Sequence, residues 1–263
     1  MEGGRTRRES PVTHVARREV RSLRTNAVME PTTPAEPGRA RPSEERLRRV
    51  AERVREEFRA FVLDPDFSCL GARAALRHDD HRVAAYGPIG TPEATAQLAR
   101  DLAEFAPAAA AAEFATFVAA FMGAAPEGEA EFEELLWAQL QALHEADPTR
   151  GWAPSVSDRP EDPRFAFSFA GTAFFVVGLH PASSRLARRF GWPALVFNPR
   201  AQFERLRADG RYAGLRDQIR VREIALQGDL NPNLAEFGEA SEARQYSGRA
   251  AEPEWRCPFH RQK

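Results

Sequence analysis

Three stretches of this chain gather residue types that could do chemistry. The first is Leu179-His180-Pro181-Ala182-Ser183-Ser184-Arg185, which continues through Arg188 and Arg189. His180 falls at the end of an apolar run, where a strand would hold it rigidly near a sheet edge. A neutral imidazole there could ligate a metal or take a proton. The plainer reading is a histidine that caps the strand with a satisfied hydrogen bond. The three arginines could grip carboxylates with paired N–H groups, or could simply form a solvated face.

The second stretch, 241–249, packs Glu242, Arg244, Tyr246, Ser247 and Arg249 into a segment with little apolar content. It reads equally as a binding segment and as an exposed polar loop. The third is Trp255-Arg256-Cys257-Pro258-Phe259-His260 at the end of the chain. Polar tails usually end in charge, so one that ends in Trp, Cys and Phe is expected to dock back onto its domain. Cys-Pro also occurs where a thiolate binds haem iron, although a small buried apolar Cys is the simpler account. His144 lies at a helix C-terminus, where the macrodipole favours it. His78 and His81 sit among Asp79 and Asp80 and read as exposed loop residues. CxxC, HExxH, an EF-hand loop and GxSxG are all missing, and Gly87-Pro88-Ile89-Gly90 lacks the Lys-Ser/Thr of a phosphate cradle.

The elements that would position these residues are legible in outline. Ser43 is a good N-cap with Glu44 and Glu45 in the first turn, and Leu47, Val50, Val54 and Phe58 repeat at helical spacing up to Asp64-Pro65. A loop and short helix follow over 67–76, then a strand over 82–86. Thr91-Pro92-Glu93 opens a helix to about Phe105. The apolar run 114–122 reads as a buried strand. Residues 129–146 form the clearest helix, with Phe132, Leu135, Leu136, Leu140 and Leu143 as its buried stripe. Strands over 165–169 and 172–179 are joined by Ala170-Gly171 as a two-residue hairpin turn. A short Arg-rich helix is expected over 183–190, a strand over 193–197, and helices over 201–207 and 212–226. The order suggests an α+β fold, a single domain over 43–263 with a mostly antiparallel or mixed central sheet and packed helices. Residues 1–42 are polar, Arg-rich and Pro-punctuated, and read as a disordered basic leader. That leader could be a nucleic-acid arm, although acidic residues interrupt its charge.

The 263-residue chain carries 37 basic and 38 acidic residues, a net charge of -1, which argues against broad nucleic-acid binding. Two distant cysteines, Cys69 and Cys257, do not make a secreted disulfide framework. No run of about 18 apolar residues indicates a membrane span. A cytoplasmic location is the expectation.

Taken in order, several segments resemble the YqcI/YcgG family. They are Phe67-Ser68-Cys69, Glu134-Leu135-Leu136-Trp137 with Leu143-His144, and Trp152-Ala153-Pro154. Phe167-Ser168-Phe169-Ala170-Gly171-Thr172, the 180–189 segment and Phe197-Asn198-Pro199-Arg200 follow. Ile219-Arg220-Val221-Arg222, Arg244-Gln245-Tyr246 and Cys257-Pro258-Phe259 complete the series. The Leu-His-Pro and Ser-Glu-Ala-Arg-Gln-Tyr-Ser-Gly-Arg versions are similar to a branch of haem-dependent guanidine N-hydroxylases.

That resemblance implies haem b as cofactor, dioxygen as oxidant and a separate electron-donating reductase. It implies a guanidine or amino-acid substrate and oxygen insertion at an N–H bond. It makes His180 the first-choice axial ligand and Cys257 the alternative, with Cys69 and His144 behind them. Arg185, Arg188, Arg189, Arg200 and Arg244 become partners for haem propionates or a substrate carboxylate. Glu242 becomes the anion for a guanidinium, and Tyr246 and Ser247 become donors to bound dioxygen. A non-catalytic haem-binding or haem-sensing protein, and a haem-free small-molecule binding module, are the competing readings.

Overall fold

In the computed structural model, residues 43–109, 112–149, 151–235 and 238–261 are described. The expected leader, residues 1–42, lies outside them. The elements in chain order are α1 (Glu44–Leu63), α2 (Leu70–Arg77), β1 (His81–Tyr86), α3 (Pro92–Ala109), β2 (Thr116–Phe121), α4 (Glu129–Glu145), β3 (Phe167–Phe169), β4 (Thr172–Leu179), β5 (Ala194–Pro199), α5 (Arg200–Ala208) and α6 (Tyr212–Gln227). Two short 3-10 turns, Leu186–Arg188 and Glu242–Gln245, complete the set. The five strands form one sheet in the order β1-β2-β5-β4-β3. Only β1 and β2 pair in parallel; the other neighbours are antiparallel. The fold is therefore α+β with a mixed sheet.

The period-2 alternation of the strands separates two cores. On one face, Phe117, Ala119 and Phe121 of β2, Phe174 and Val176 of β4, and Leu195 and Phe197 of β5 meet α3 and α4. On the other, Val118, Ala120, Leu179, Ala194 and Val196 meet Val54, Phe58 and Val62 of α1. Because β2 is buried on both faces along its whole length, it reads as a continuous apolar run. Each fully buried Phe, Val or Leu contributes about 1.5–3 kcal/mol of transfer free energy.

The helix starts follow their caps. Ser43 Oγ accepts the Arg46 N–H at 3.3 Å. Thr91 Oγ1 accepts the Ala94 N–H at 3.3 Å. The β3–β4 turn is carried by Ala170 at φ 49° and Gly171 at φ 72°, the left-handed pair that a two-residue hairpin needs. Asp147 Oδ2 accepts the Ala170 N–H at 2.9 Å, which ties the end of α4 to the turn.

Several expectations need correction. The Arg-rich helix over 183–190 is only the 3-10 turn Leu186–Arg188, because the segment is pinned by side chains. The Leu186 N–H goes to Gln227 Oε1 at 2.8 Å, and the Ser184 N–H goes to Glu129 Oε1 at 2.8 Å. α3 continues past Phe105, through Pro107, to Ala109. β3 starts at Phe167, while Phe165 makes an isolated bridge to Ser157. His81 is not a loop residue. It heads β1, and its side chain is only 7% exposed. On α4, Leu135 is half-buried, and Glu133, Trp137 and Gln139 join the buried face instead.

Candidate functional site

The C-terminal segment, which lacks long helices and strands, is built into the domain by polar anchors. Asn233 Nδ2 donates to the Arg244 carbonyl at 2.9 Å and also to that of Arg249, while Asn233 Oδ1 accepts the Ala251 N–H at 2.9 Å. Buried Glu133 of α4 accepts Ser247 Oγ at 2.8 Å and Arg249 Nε at 2.8 Å. The His260 N–H goes to Gln141 Oε1 at 3.0 Å. Phe259 fills the aromatic core, 1% exposed, with its ring 5.9 Å from Trp152 and 6.0 Å from Phe165. The tail therefore docks back, as its composition suggested.

Docking leaves a cavity of about 1110 Å³ between three segments. The 158–163 loop gives Asp158, Arg159 and Glu161; the 239–244 segment gives Glu239, Ser241 and Arg244; the tail gives Trp255, Arg256, Cys257, Phe259, His260 and Arg261. Cys257 and His260 bring a sulfur and an imidazole to one space. Burial pushes the Cys257 thiol up to about 12, against the Phe259 N–H, so it stays protonated at neutral pH. Arg159 pairs with Glu161 at 2.9 Å, and Arg261 pairs with Asp158. Arg244 donates to the Glu252 carbonyl at 2.6 Å and lies over the Trp255 ring, 5.6 Å from its centroid.

Beside this cavity, the 241–249 segment enters the core rather than forming a loop. Ser241 Oγ caps the 3-10 turn by accepting the Ala243 N–H at 3.3 Å. Tyr246 is fully buried and stacks on Trp137 at 5.6 Å. Its hydroxyl accepts the Phe167 N–H at 3.0 Å and donates to Glu242 Oε1 at 2.8 Å, with the Phe174 carbonyl at 3.2 Å. Arg200 Nη1 donates to Glu242 Oε2 at 2.5 Å. Burial pushes the Glu242 carboxyl up to about 7, with Arg200 and the Tyr246 hydroxyl pulling against it. Both oxygens of Glu242 thus have partners within the chain.

His180 lies elsewhere, and it does not line the cavity. It is 0% exposed at the end of β4 and stacks on Phe132 with centroids 4.3 Å apart. Neither ring nitrogen has a hydrogen-bond partner among the described residues, nor does the hydroxyl of buried Ser183 in the same turn. The satisfied strand cap weighed from sequence is therefore not what forms. Burial is the main cause that pushes the imidazole down to about 4, so it is neutral. The close packing continues at Gly178, where a Cβ would meet Phe132 at 2.5 Å, Leu136 at 2.8 Å and the Tyr246 carbonyl at 2.9 Å.

The remaining arginines named from sequence are engaged. Arg185 pairs with Glu223 at 2.6 Å and with Asp229. Arg188 donates to the Tyr246 carbonyl at 2.9 Å, and Arg189 to the Ser183 carbonyl at 2.8 Å. Cys69 is at the N-terminus of α2, its thiol raised by burial. His144 packs against Trp152 and Phe259. The structure thus gathers Ser241, Arg244, Trp255 and Cys257 at one cavity and places His180, Arg185, Arg188 and Arg189 outside its lining. Sequence reading missed the opposite wall, Asp158, Arg159 and Glu161. Its available signal was a run of charges bracketed by Pro160 and Pro163.

The sequence matches the YqcI/YcgG family over residues 58–260. The chain belongs to the YqcI/YcgG family. A Bacillus subtilis (strain 168) relative, named Uncharacterized protein YqcI, is 30% identical over 212 residues, covering 75% of this chain and 82% of the relative. No solved structure matches. The matched region spans both the cavity and the His180 turn. Among the described residues, no group of three or more His, Cys, Asp or Glu could hold a bare metal ion. No helix there is long and apolar enough to cross a membrane.

Proposed function

We propose that this YqcI/YcgG-family chain is a cytoplasmic haem-dependent N-oxygenase. It would act on a guanidine or amine nitrogen of an arginine-like small molecule, with haem b held in the C-terminal cavity. The cavity is the observation that carries this reading. Its volume, about 1110 Å³, is slightly above the roughly 300–1,000 Å³ typical of small-molecule and cofactor sites. Its lining joins two donors that can bind iron, Cys257 and His260, to the aromatic surface of half-buried Trp255 and to guanidinium groups. Those are the partners a planar macrocycle with acid side chains requires, so the residues fit the group.

Bound there, haem would activate dioxygen with electrons from a separate reductase. The chain's own residues do the rest. Cys257 has to release its proton to serve as a ligand, since metal binding takes the thiolate. Asp158 and Glu161 are the anions for a guanidinium substrate, which would compete with Arg261 and Arg159 for them. Glu242 is less suited, because Arg200 and Tyr246 already take both its oxygens. His180 is the alternative donor. It is neutral with two unpartnered nitrogens, but it is packed against Phe132 rather than open to the cavity.

The test is a UV–visible spectrum of protein expressed with haem precursor, in ferric, ferrous and CO-bound forms. A Soret band lost in Cys257→Ala and retained in His180→Ala supports the cavity site. The opposite pattern moves the iron to the His180 turn. A haem protein whose reductant consumption ignores every guanidine offered is a non-catalytic haem binder. A colourless protein that takes up no added haem removes the N-oxygenase reading.

A further inference from the structure

We propose that the open edge of β1 is a docking site for an extended acidic segment of a partner protein, which adds a strand to the sheet. The site is independent of the haem reading. β1 ends the strand order, and β2 is its only strand neighbour among the described residues. Their parallel register fixes which main-chain groups are left over. The Thr116 N–H donates to the Asp80 carbonyl at 3.0 Å, and the Met122 N–H donates to the Tyr86 carbonyl at 3.0 Å. The ladder repeats every two residues, so the N–H and C=O groups of Arg82, Ala84 and Tyr86 face β2. Those of His81, Val83 and Ala85 face away from it. Val83 and Ala85 are only 5% and 7% exposed, yet no other main-chain segment or side chain among the described residues bonds to their outward groups. A main-chain group that neither water nor protein satisfies costs about as much as a lost hydrogen bond, and a further strand is what would satisfy this row.

A groove of about 320 Å³ lies beside the strand, lined by residues 82–85 and by a stripe of α1 that includes Arg48, Glu52 and Arg55. Four consecutive β1 residues line it, so the edge of the strand, rather than one face, meets the groove. An incoming strand sends alternate side chains to the two faces of the sheet. Val83 belongs to the core on the α1 face, and Tyr86 to the core on the α3 face. On the α1 side the new side chains meet Arg48, Glu52 and Arg55, with Arg59 one turn further on; three arginines stand against one glutamate. Arg55 and Arg59 also act on the His81 imidazole at the start of β1, so their field reaches the strand. On the other side Arg82 is already matched by Asp101 at 3.3 Å and Glu104 at 3.1 Å. The fit is therefore to a segment with carboxylates at every second position, turned to α1, and uncharged residues between them. An antiparallel second copy of β1 would instead set the basic stripe against its own image.

The experiment titrates the full chain into labelled peptides of six residues, the length of β1, and reads fluorescence anisotropy. One peptide alternates Glu and Val, a second alternates Lys and Val, and a third is the acidic sequence with its backbone amides N-methylated. Only the first is expected to bind. Arg55→Glu should weaken it about fivefold, the upper end for one exposed ion pair. Ala85→Pro removes an outward N–H and leaves the ladder to β2 intact, and should weaken it at least about tenfold. If Ala85→Pro does not fold, Arg55→Glu and the N-methylated peptide still decide. Residue-resolved hydrogen exchange should show the Val83 and Ala85 amides slowed at least about tenfold by the acidic peptide, with the Ala84 amide, already bonded to β2, unchanged.

No binding of the acidic peptide tighter than about 1 mM overturns the proposal. So does equal binding of the N-methylated peptide, which shows that the main-chain edge is not used. Equal binding of the Lys peptide overturns the acidic partner. A chain that dimerises in sedimentation without peptide, and protects the Val83 and Ala85 amides as it does so, gives the edge to a second copy and overturns the acidic partner as well.

Discussion

Two buried groups should tilt the stability of this protein in opposite directions with pH. Glu242 is raised by burial from 4.5 to about 7, and His180 is lowered from 6.5 to about 4. A carboxyl whose folded pKa is raised holds its proton longer in the native state. Its contribution is complete below pH 4.5 and is lost as pH rises to about 7. A histidine whose folded pKa is depressed contributes fully above pH 6.5, and that contribution is lost as pH falls to about 4. Each displacement is about 2.5 pH units, or about 3 kcal/mol at 1.36 kcal/mol per unit.

The slopes oppose each other between pH 4.5 and 6.5 and largely offset in the wild type. Glu242→Gln keeps the shape beside Arg200 and Tyr246 and removes one slope. Stability of that variant should rise with pH by about 1 kcal/mol per unit relative to wild type. His180→Phe keeps the stack on Phe132 and should fall by the same amount. Arg207, Arg200 and Tyr246 act on the first group and Glu129 and Arg188 on the second, and none of them is changed. Urea unfolding of the haem-free protein at pH 4.5, 5.5 and 6.5 measures the three profiles. Parallel profiles for both variants and wild type would refute the reasoning.

Gly178→Ala should destabilise the apo protein by at least about 1–3 kcal/mol, because the new methyl meets Phe132, Leu136 and the Tyr246 carbonyl inside normal contact; thermal melting checks it. Tyr246→Phe strands the buried Phe167 N–H and removes a partner of Glu242. It should cost about 2–3 kcal/mol in urea, and a loss under 0.5 kcal/mol would mean that water replaces the hydroxyl. Ala170→Gly should stabilise by about 0.4–1 kcal/mol, since Ala170 occupies φ 49°; a lowered midpoint would contradict that. Glu133→Ala, which releases Ser247 and Arg249 together, should raise amide hydrogen exchange over 247–260 well above that of β2. Unchanged protection there would show that Phe259 alone secures the tail.

Much of the fold was legible because local chemistry and tertiary outcome agree. The Ser43 and Thr91 caps, the stripe of Val54 and Phe58 on α1, and the Ala170-Gly171 turn all formed where the spacing put them. The unbroken apolar run of β2 correctly signalled a strand covered on both faces. Family membership was legible too, since it rests on ordered short segments that pairing and packing do not disturb.

What tertiary structure decided was the fate of polar side chains. Spacing shows which groups exist but not which partners consume them. Glu242 and Arg200 lie 42 residues apart, Ser247 and Glu133 114 apart, and each pair meets only after the tail has docked. The expected helix over 183–190 gave way because Gln227 and Glu129 offered its N–H groups better acceptors. His180 had the right position on a strand end, yet packing against Phe132 closed its surroundings. The open space formed instead at Cys257, where three distant segments of the chain converge. Local periodicity fixes how an element begins and which face it buries, whereas a cavity and the charges left free within it are sums over contacts from the whole chain.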